Sequence, residues 1–594
     1  MTEFGNASNI PLYASLDTSY ASTRLFILLP GEFEDSIEGN LMEVNLGDIP
    51  DYEALSYVWG DAGHALTVTI AGQLVVVTDN LHAALRRLRY PDRERALWID
   101  ALCINQSDAK EKGQQIDMMG RIYKGSLQCL IWPGEVPTGN HERLRYTTQD
   151  VKAAYEMIQL IADGELEGDL PATLSSGTAR KGAVTALRGM MARENLWWQR
   201  IWTVQEATLS GQKTVLWHNV SISWSKCVQA AKRMMEPSVR QRKVIDALSP
   251  ELYSFNVNEF ITPFLSLELN NEDNYPLFTA HRWRYREATD PRDKVYGLLS
   301  LIDRAELPSI SCNYTLSAAC VFTKFTLDLI NLTQSLEPLI GWRGELHATS
   351  GLPTWALDMV RPSHLVNRGC KFWEHYDRYH YFSADDNSEL VLNTLCDESV
   401  LSLKGVIVDT VCLVDEGIAV DESVVLPNED FARVIKRRQQ VLAEFIEDSS
   451  EKLVFGNDWK NAFWKTMLGD VITYDERVTR RAVLEDGELF DQFLKDWQWN
   501  EVSESLRSMV LNQAFFITRS GYLGIGPPQT RSGDVVCVLL GGRVPFILRP
   551  EEGNLTLTEI GDQYSFVGDS FVQGIMDGEL FSSSQKEIQD VVLI

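Results

Sequence analysis

The sequence predicts an α/β fold with a parallel sheet in the N-terminal third, then a mainly helical region and a small β-rich domain at the C-terminus. Strand-like and helix-like segments alternate up to residue 211, helical patterns dominate residues 225–340, and short strands with turn glycines occupy the last part. Strands separated by helices are typical of parallel sheets that are covered by helices on both faces.

Changes in these patterns divide the 594 residues into five parts. We place the boundaries near residues 45, 215, 385 and 510. The parts are an N-terminal extension (1–45), an α/β domain (46–215), a mainly helical central region (216–385), a mixed α/β region (386–510) and a small β-rich domain (511–594).

The α/β domain begins with the apolar, aromatic segment Tyr52–Trp59, which is ended by a glycine and predicts a strand that runs into a turn. Leu66–Val77 predicts a hairpin. Asn80–Leu88 has leucines at helical spacing, with its first residue as the N-cap. Leu97–Asp100 predicts a short buried strand that ends in a carboxylate.

A helix is predicted to open at Ser107 and Asp108 and to close at a glycine, residue 125. Leu127–Trp132 predicts the next strand, and Val151–Ala162 an amphipathic helix. Helical sequence then runs from Ala179 to Gly211.

Later in the chain, residues 389–415 are strand-like and residues 430–448 predict a helix of mixed charge. The final segments read FFITRSGYLGIGP, DVVCVLL, VPFILRP and YSFVGDSFV. Their short apolar runs and intervening glycines predict a small antiparallel barrel or sandwich.

Charge and cysteine content limit the possible functions. The chain has 55 basic and 83 acidic residues, a net charge of -28, so nucleic acids and anionic membranes are disfavoured as partners. A local basic groove for one small anionic ligand remains compatible with this charge. The nine cysteines are scattered without a CxxC pair, which favours reduced thiols in the cytoplasm and no metal site. No stretch approaches the ~20 apolar residues of a membrane span.

Polar side chains occur where predicted strands end, which is where open parallel sheets bind ligands. Two such groups follow the strands that begin at Tyr52 and Leu97, and a third group of candidate residues lies on a helix. There Trp202 and Glu206 are one turn apart, and the indole would partly desolvate the carboxylate. The candidate site residues are Ser56, Tyr57, Trp59 and Gly60 after the first strand, Asp100, Asn105 and Gln106 after the second, and Trp202 and Glu206.

These segments resemble the three signature blocks of the fungal heterokaryon-incompatibility (HET) domain. The blocks read YEALSYVWGD, LWIDALCINQSDAKEKGQQIDMMGRIYKGS and WWQRIWTVQEA. Arg286–Ile302, Leu352–Met359 and several C-terminal segments resemble blocks that recur in full-length proteins of that family.

The resemblance implies a death-inducing role when genetically unlike fungal cells fuse. HET domains are distantly similar to TIR domains, which are flavodoxin-like and often hydrolyse NAD. The Trp-x-x-x-Glu pattern of TIR enzymes matches Trp202 to Glu206 here, which makes Glu206 the expected catalytic residue. NAD is then a substrate, with no cofactor required. The resemblance further implies a homo-oligomer on activation and a partner that signals non-self recognition.

Within this scheme Tyr57 and Trp59 are expected to stack on a base of NAD, and Asn105 and Gln106 to hydrogen-bond its ribose or carboxamide. Ser56, Gly60, Asp100 and Trp202 complete the expected substrate contacts. Free N–H groups at the helix opening near Ser107 are expected to receive phosphate.

Several of these residues can also be interpreted as having purely structural roles. Glu206 could be an exposed helix carboxylate or the partner of Arg200, Trp202 a core residue, and Asp100 an N-cap. Arg286, Asp290, Arg292 and Asp293 are expected to form a structural ion-pair network. The alternative function is a non-catalytic HET module that recruits a death-inducing partner.

Overall fold

The structure is a computed structural model. It describes residues 12–17, 21–60, 63–135, 146–164, 170–191, 195–235, 248, 260–269, 275–341, 349–360, 375–393, 399–416, 427–448, 454–475, 478–551, 562–581 and 587–594. Asp61, the last residue of the first signature block, lies outside the described residues. The chain divides into two compact units, residues 1–304 with 311–316 and residues 305–310 with 317–594.

The first unit is built on a mixed sheet. Its strands are β1 (Ser22–Leu28), β2 (Glu38–Asn45), β3 (Glu53–Tyr57), β4 (Ala65–Ile70), β5 (Gln73–Thr78), β6 (Arg95–Trp98), β7 (Gln128–Trp132), β8 (Lys213–Trp217) and β9 (Val220–Ser223). Across the sheet they lie in the order β5-β4-β2-β1-β6-β3-β7-β8-β9.

The prediction of a parallel sheet is correct for the centre of this sheet and for the pair β2 and β4, but the sheet as a whole is mixed. β6, β3, β7 and β8 are mutually parallel, but β1 is antiparallel to both β2 and β6, and β9 is antiparallel to β8. The four parallel strands are joined through helices or longer crossovers, whereas the consecutive strands β1 and β2, β4 and β5, and β8 and β9 are joined by short connections and pair antiparallel. Residues 1–45, predicted as an extension, supply β1 and β2 to this sheet.

The helices of the first unit follow most of the predicted positions. They are α1 (Asp79–Leu88), α2 (Asp100–Cys103), α3 (Ala109–Gly125), α4 (Thr148–Asp163), α5 (Gly177–Met191), α6 (Trp202–Leu209), α7 (Trp224–Met235), α8 (Thr262–Leu269), α9 (Pro276–Trp283) and α10 (Asp293–Tyr296). The predicted continuous helix from residue 179 to 211 is wrong, because α5 ends at Met191 and α6 begins only at Trp202, after a short 3-10 turn at Leu196–Trp198.

A buried polar network fixes α3 against β1. The Arg24 guanidinium donates to Glu111 Oε1 at 2.6 Å and to the carbonyl oxygen of Cys103 at 3.2 Å, and both side chains of this ion pair are at most one-tenth exposed. One turn further along α3, the Thr23 hydroxyl donates to Gln115 at 2.7 Å. Two polar residues of the second signature block therefore serve the packing of α3 on β1.

The second unit contains α11 (Ala318–Thr333), α12 (Asn428–Asp448), α13 (Trp459–Leu468), α14 (Leu484–Asp496) and α15 (Ser503–Val510). Its strands are β10 (Leu392–Asn393), β11 (Leu401–Asp415), β12 (Val471–Asp475), β13 (Val478–Arg481), β14 (Ala514–Thr518), β15 (Leu523–Gly526), β16 (Val535–Leu539), β17 (Phe546–Pro550), β18 (Gln563–Asp569), β19 (Phe571–Val572) and β20 (Gln589–Leu593).

The long strand β11 organises the β-rich part of the second unit. It pairs with β20 through its first residues, with β16 through its middle and with β14 through its end. Since β16, β17, β18 and β20 are paired in that order, the pairings close on themselves through β11. The pairings are antiparallel as predicted, except that β18 and β20 are parallel. Valines, Phe516 and Ile547 form the buried core of this sheet.

Candidate functional site

Glu206 lies in the middle of α6, and its side chain is 4% exposed. The Ser56 hydroxyl, near the end of β3, donates to Glu206 Oε2 at 2.5 Å. Ser56 is itself fully buried and accepts a hydrogen bond from Trp197 Nε1 at 2.8 Å. A hydroxyl has one proton to donate, so the indole donor directs that proton to the carboxylate.

Burial raises the pKa of Glu206 to about 8. The Arg200 guanidinium and the Ser56 hydroxyl lower it, while the nearby Asp100 raises it further. A charged carboxylate without water is costly, so burial favours the protonated form, and the Arg200 charge and the Ser56 hydroxyl partly offset that cost. Strongly shifted carboxyl groups of this kind are candidates for functional sites.

Asp100 connects this carboxylate to the protein surface. Its carboxylate accepts from Trp59 Nε1 at 2.7 Å and from the Tyr57 hydroxyl, and its Oδ1 accepts from the backbone N–H of Ala101 at 2.8 Å. Burial raises the pKa of Asp100, and Arg200 lowers it. Trp59 is 37% exposed whereas Tyr57 is 3% exposed, so the group extends from the surface at Trp59 to the buried Glu206.

Arg200 is the cation that acts on both carboxyl groups, whereas the sequence indicates it only as a partner of Glu206. Its Nη1 donates to the carbonyl oxygen of Tyr57 at 2.8 Å. The backbone at Arg200 pairs with Glu287, which fixes the chain just before α6 begins. We call the residues brought together here the Glu206 cluster: Ser56, Tyr57, Asp100, Trp197, Arg200 and Glu206.

Gly60 forms the turn after β3. Its φ is +85°, a left-handed conformation that favours glycine, and a Cβ atom here would lie 3.4 Å from the Cβ of Asn80. The predicted N-cap role of Asn80 is wrong, because the Thr78 side chain caps α1. Asn80 instead donates to the carbonyl oxygen of Val58 at 2.6 Å and accepts from Trp132 Nε1 at 2.9 Å, so it joins the ends of β3 and β7.

Asn105 and Gln106 hold their own turn. The Asn105 side chain accepts from the N–H and the hydroxyl of Ser107, and the Gln106 amide donates to the backbone carbonyl of Asp100 at 3.0 Å. The predicted phosphate site at the opening of α3 is contradicted, because the Asp108 carboxylate already accepts from the first N–H groups of the helix. A second anion would be repelled there.

Trp202 is buried at the start of α6, and its indole N–H donates to Asp293 at 3.0 Å. The Tyr314 hydroxyl donates to the same carboxylate at 2.6 Å. The polar edge of Trp202 therefore anchors α6 to the 293–314 segment.

The expected ion-pair network in residues 286–293 forms only in part. Asp290 and Arg292 pair at 2.7 Å, but Arg286 donates to the Thr203 hydroxyl at 3.4 Å. Asp293 accepts from the two neutral donors described above.

Two family models match the chain, and each lies within one unit. Residues 52–206 match the heterokaryon incompatibility protein (HET) family, and Glu206 is the last residue of that match. Residues 461–594 match the Het-6 β-barrel domain.

A curated relative is similar over nearly the whole chain. Heterokaryon incompatibility protein 6, OR allele, from Neurospora crassa is 24% identical over an alignment of 694 positions, which covers 99% of this chain and 98% of the relative. No solved structure matches the chain. The matches to the two family models and to this relative agree with the resemblance of the signature blocks. The chain is therefore similar to the heterokaryon incompatibility (HET) domain proteins, with a match to the HET family in residues 52–206 and a match to the Het-6 β-barrel domain in residues 461–594.

Proposed function

We propose that this protein acts in heterokaryon incompatibility as an effector of cell death, and that its HET domain hydrolyses NAD to nicotinamide and ADP-ribose through Glu206. The HET family model and the printed name of the Neurospora relative support the first part. The observation that carries the second part is the buried carboxyl of Glu206, which is hydrogen-bonded to Ser56 and lies beside Arg200 and Asp100.

The arrangement of the parallel strands supports a TIR-like interpretation. In chain order β3, β6, β7 and β8 are the first to fourth parallel strands, and across the sheet they lie in the order 2-1-3-4. This is the start of the flavodoxin-like order, in which the ligand binds beyond the carboxyl ends of the first and third strands. Ser56 and Tyr57 are the last residues of β3, at that edge.

The chemistry requires one carboxylate. When the bond between nicotinamide and ribose breaks, the electron pair leaves with the nicotinamide, which departs neutral, and positive charge develops on the sugar carbon. An ionised Glu206 stabilises that charge. Water then supplies a hydroxyl group to the sugar carbon and releases a proton.

The raised pKa of Glu206 fits a site that binds a cation. At neutral pH the free carboxyl is mostly protonated, since its pKa is about 8. A cationic nicotinamide ring nearby favours the ionised form and lowers this pKa on binding. With Glu206 only 4% exposed, NAD reaches it only in the fraction of molecules in which the cluster is open, so the resting protein hydrolyses NAD slowly. Such a state suits a lethal activity in the cytoplasm.

The same burial favours a second candidate function. Tyr57 and Glu206 are 3% and 4% exposed, as expected for a cluster that only holds α6 on the sheet. The HET domain is then a non-catalytic module that recruits a death-inducing partner.

Expression of Glu206→Gln in fungal cells separates the two functions. The hydrolase predicts that NAD content stays normal and that the cells survive, because the uncharged amide keeps the fold but cannot stabilise the sugar cation. Killing that persists with Glu206→Gln supports the recruiting module. Glu268→Gln is the matched control, since Glu268 is a helix glutamate of the same unit that accepts from Trp224 Nε1 and Lys213 Nζ and lies outside the cluster.

A further inference from the structure

A cavity of about 300 Å³ lies in the first unit between α3, the end of α6, residues 296–304 and Cys312. None of the residues that line it belongs to the Glu206 cluster. Its size is at the lower end of the range of small-molecule sites, so it admits one compact ligand.

Gly120 of α3 lines the cavity, and Gly113 lies earlier on the same helix. A Cβ atom on Gly120 would lie 2.5 Å from the Cβ of Ser300, and one on Gly113 would lie 2.5 Å from the carbonyl oxygen of Cys312. Both distances are too short for any other residue, so the glycines let α3 approach Ser300 and Cys312 closely. This wall of the cavity is therefore closely packed.

The charges around the cavity are unequal. Arg304 donates to Asp117 at 3.1 Å, and the thiol of Cys312 bonds to the same carboxylate. Arg121 and Lys124 are exposed on α3, and neither has a hydrogen-bond or ion-pair partner among the residues that the structure describes. With three cations and one carboxylate, the cavity carries a local excess of two positive charges.

That excess stands out in a chain whose net charge is -28. Two cations one turn apart on the rim of a concave site repel each other unless an anion lies between them. The other lining residues include Leu209, Leu299 and Ile302, which offer an apolar floor. The cationic rim at Arg121 and Lys124 and the apolar floor together fit a ligand that has one anionic group and a compact apolar body.

We propose that this cavity binds a small organic phosphate, with the phosphate against Arg121 and Lys124 and the apolar body over Leu209 and Leu299. A phosphate dianion balances the two unpaired cations and accepts several charge-assisted hydrogen bonds from them. Leu209 is the last residue of α6, the helix that carries Glu206. The site is independent of the proposed hydrolase, because binding here needs no chemistry at Glu206.

Titration calorimetry of the purified full chain with phenyl phosphate tests this site. We expect binding with a Kd of about 1 mM or tighter for the wild type, and at least ~10-fold weaker binding for Arg121→Ala/Lys124→Ala. Lys110→Ala is the matched control, because Lys110 is an exposed cation on the same helix that does not line the cavity. It should bind as the wild type does. Thermal unfolding checks that all three proteins are folded.

Three outcomes overturn the proposal. They are no heat of binding to the wild type at ~10 mM probe, equal affinity in the double variant, and equal loss in Lys110→Ala, which would indicate general charge attraction. Inorganic phosphate carries only the anionic group of the probe, and benzyl alcohol carries only an apolar body. Each should bind more weakly than phenyl phosphate. Inorganic phosphate that binds equally well contradicts the role of the apolar floor.

Discussion

The hydroxyl of Ser56 donates to the carboxylate of Glu206 at 2.5 Å, although the two residues are 150 positions apart. This contact joins the end of β3 to the middle of α6, and so joins the first and third signature blocks. Because Trp197 Nε1 donates to the same hydroxyl, the Ser56 proton is directed at Glu206. A bond in this direction favours the ionised carboxylate.

Replacement of Ser56 should therefore shift the titration of Glu206 upward. In Ser56→Ala the carboxylate loses a donor and the Trp197 indole loses its acceptor, so we expect the pH at half-maximal NAD hydrolysis to rise by about 1 unit and stability to fall by about 1–3 kcal/mol. A pH–rate profile with denaturant unfolding measures both. Ser221→Ala, at an exposed position of β9, should change neither. An unchanged profile in Ser56→Ala would show that the bond does not govern Glu206.

Arg200 should act on the same titration through charge. Arg200→Met keeps an apolar stem but removes the guanidinium that lowers the pKa of both Glu206 and Asp100. We expect the pH at which kcat/KM for NAD hydrolysis is half-maximal to be higher than in the wild type, because Glu206 without the nearby cation ionises only at higher pH. The shift should persist at high salt, since the cluster is buried. A profile that moves to lower pH would contradict the assigned electrostatics.

Glu206 should also make folding stability depend on pH. Its pKa is about 8 in the folded state against an ordinary value of 4.5, so the folded state binds the proton more tightly. The resulting stability is fully present below the unfolded pKa and is lost as pH rises through about 8. Glu206→Gln carries no such proton, so its stability relative to the wild type should increase between pH 5 and pH 9, by on the order of 3 kcal/mol. Denaturant unfolding at pH 5, 7 and 9 measures this, and a constant difference between the two proteins would exclude a raised pKa.

Glu111 should prove structural despite its place in the second signature block. Glu111→Gln leaves the buried Arg24 without its counter-charge, and we expect a loss of about 3–5 kcal/mol in stability. A double change, Arg24→Met/Glu111→Leu, should recover much of that loss. Lys110→Ala, next to it on the exposed side of α3, should have no measurable effect. Equal stability of Glu111→Gln and the wild type would mean that the ion pair contributes nothing to the fold.

Elements with strong local signals could be predicted from the sequence. The strands β3 and β7 are continuous apolar runs, and α3 begins after a capping aspartate, Asp108, and ends at a glycine, as predicted. In contrast, β2 reads EGNLMEVN, is largely exposed and lacks a strand pattern, and its conformation depends on pairing with β1. Pairing between distant segments has no local signature, which is why the mixed character of the sheet was not predicted.

The candidate site likewise has features that the local sequence predicts and features that depend on distant contacts. Ser56, Tyr57, Asp100 and Glu206 were predicted to lie close together because they end strands or share a motif, and the structure brings them together. Asn105 and Gln106 hydrogen-bond within their own turn, as short polar side chains often do after a strand. The roles of Trp197 and Asn80 depend on bonds to residues far away in sequence, which spacing alone does not reveal.

Nicotinamide release from NAD by the purified full chain tests the central proposal most directly. With chromatographic detection at pH 8.5, the wild type should release nicotinamide, and Glu206→Gln should be slower by at least ~100-fold, because the charge that stabilises the sugar cation is absent. Glu268→Gln should match the wild type. Equal nicotinamide release by the wild type and Glu206→Gln would contradict the catalytic role of Glu206.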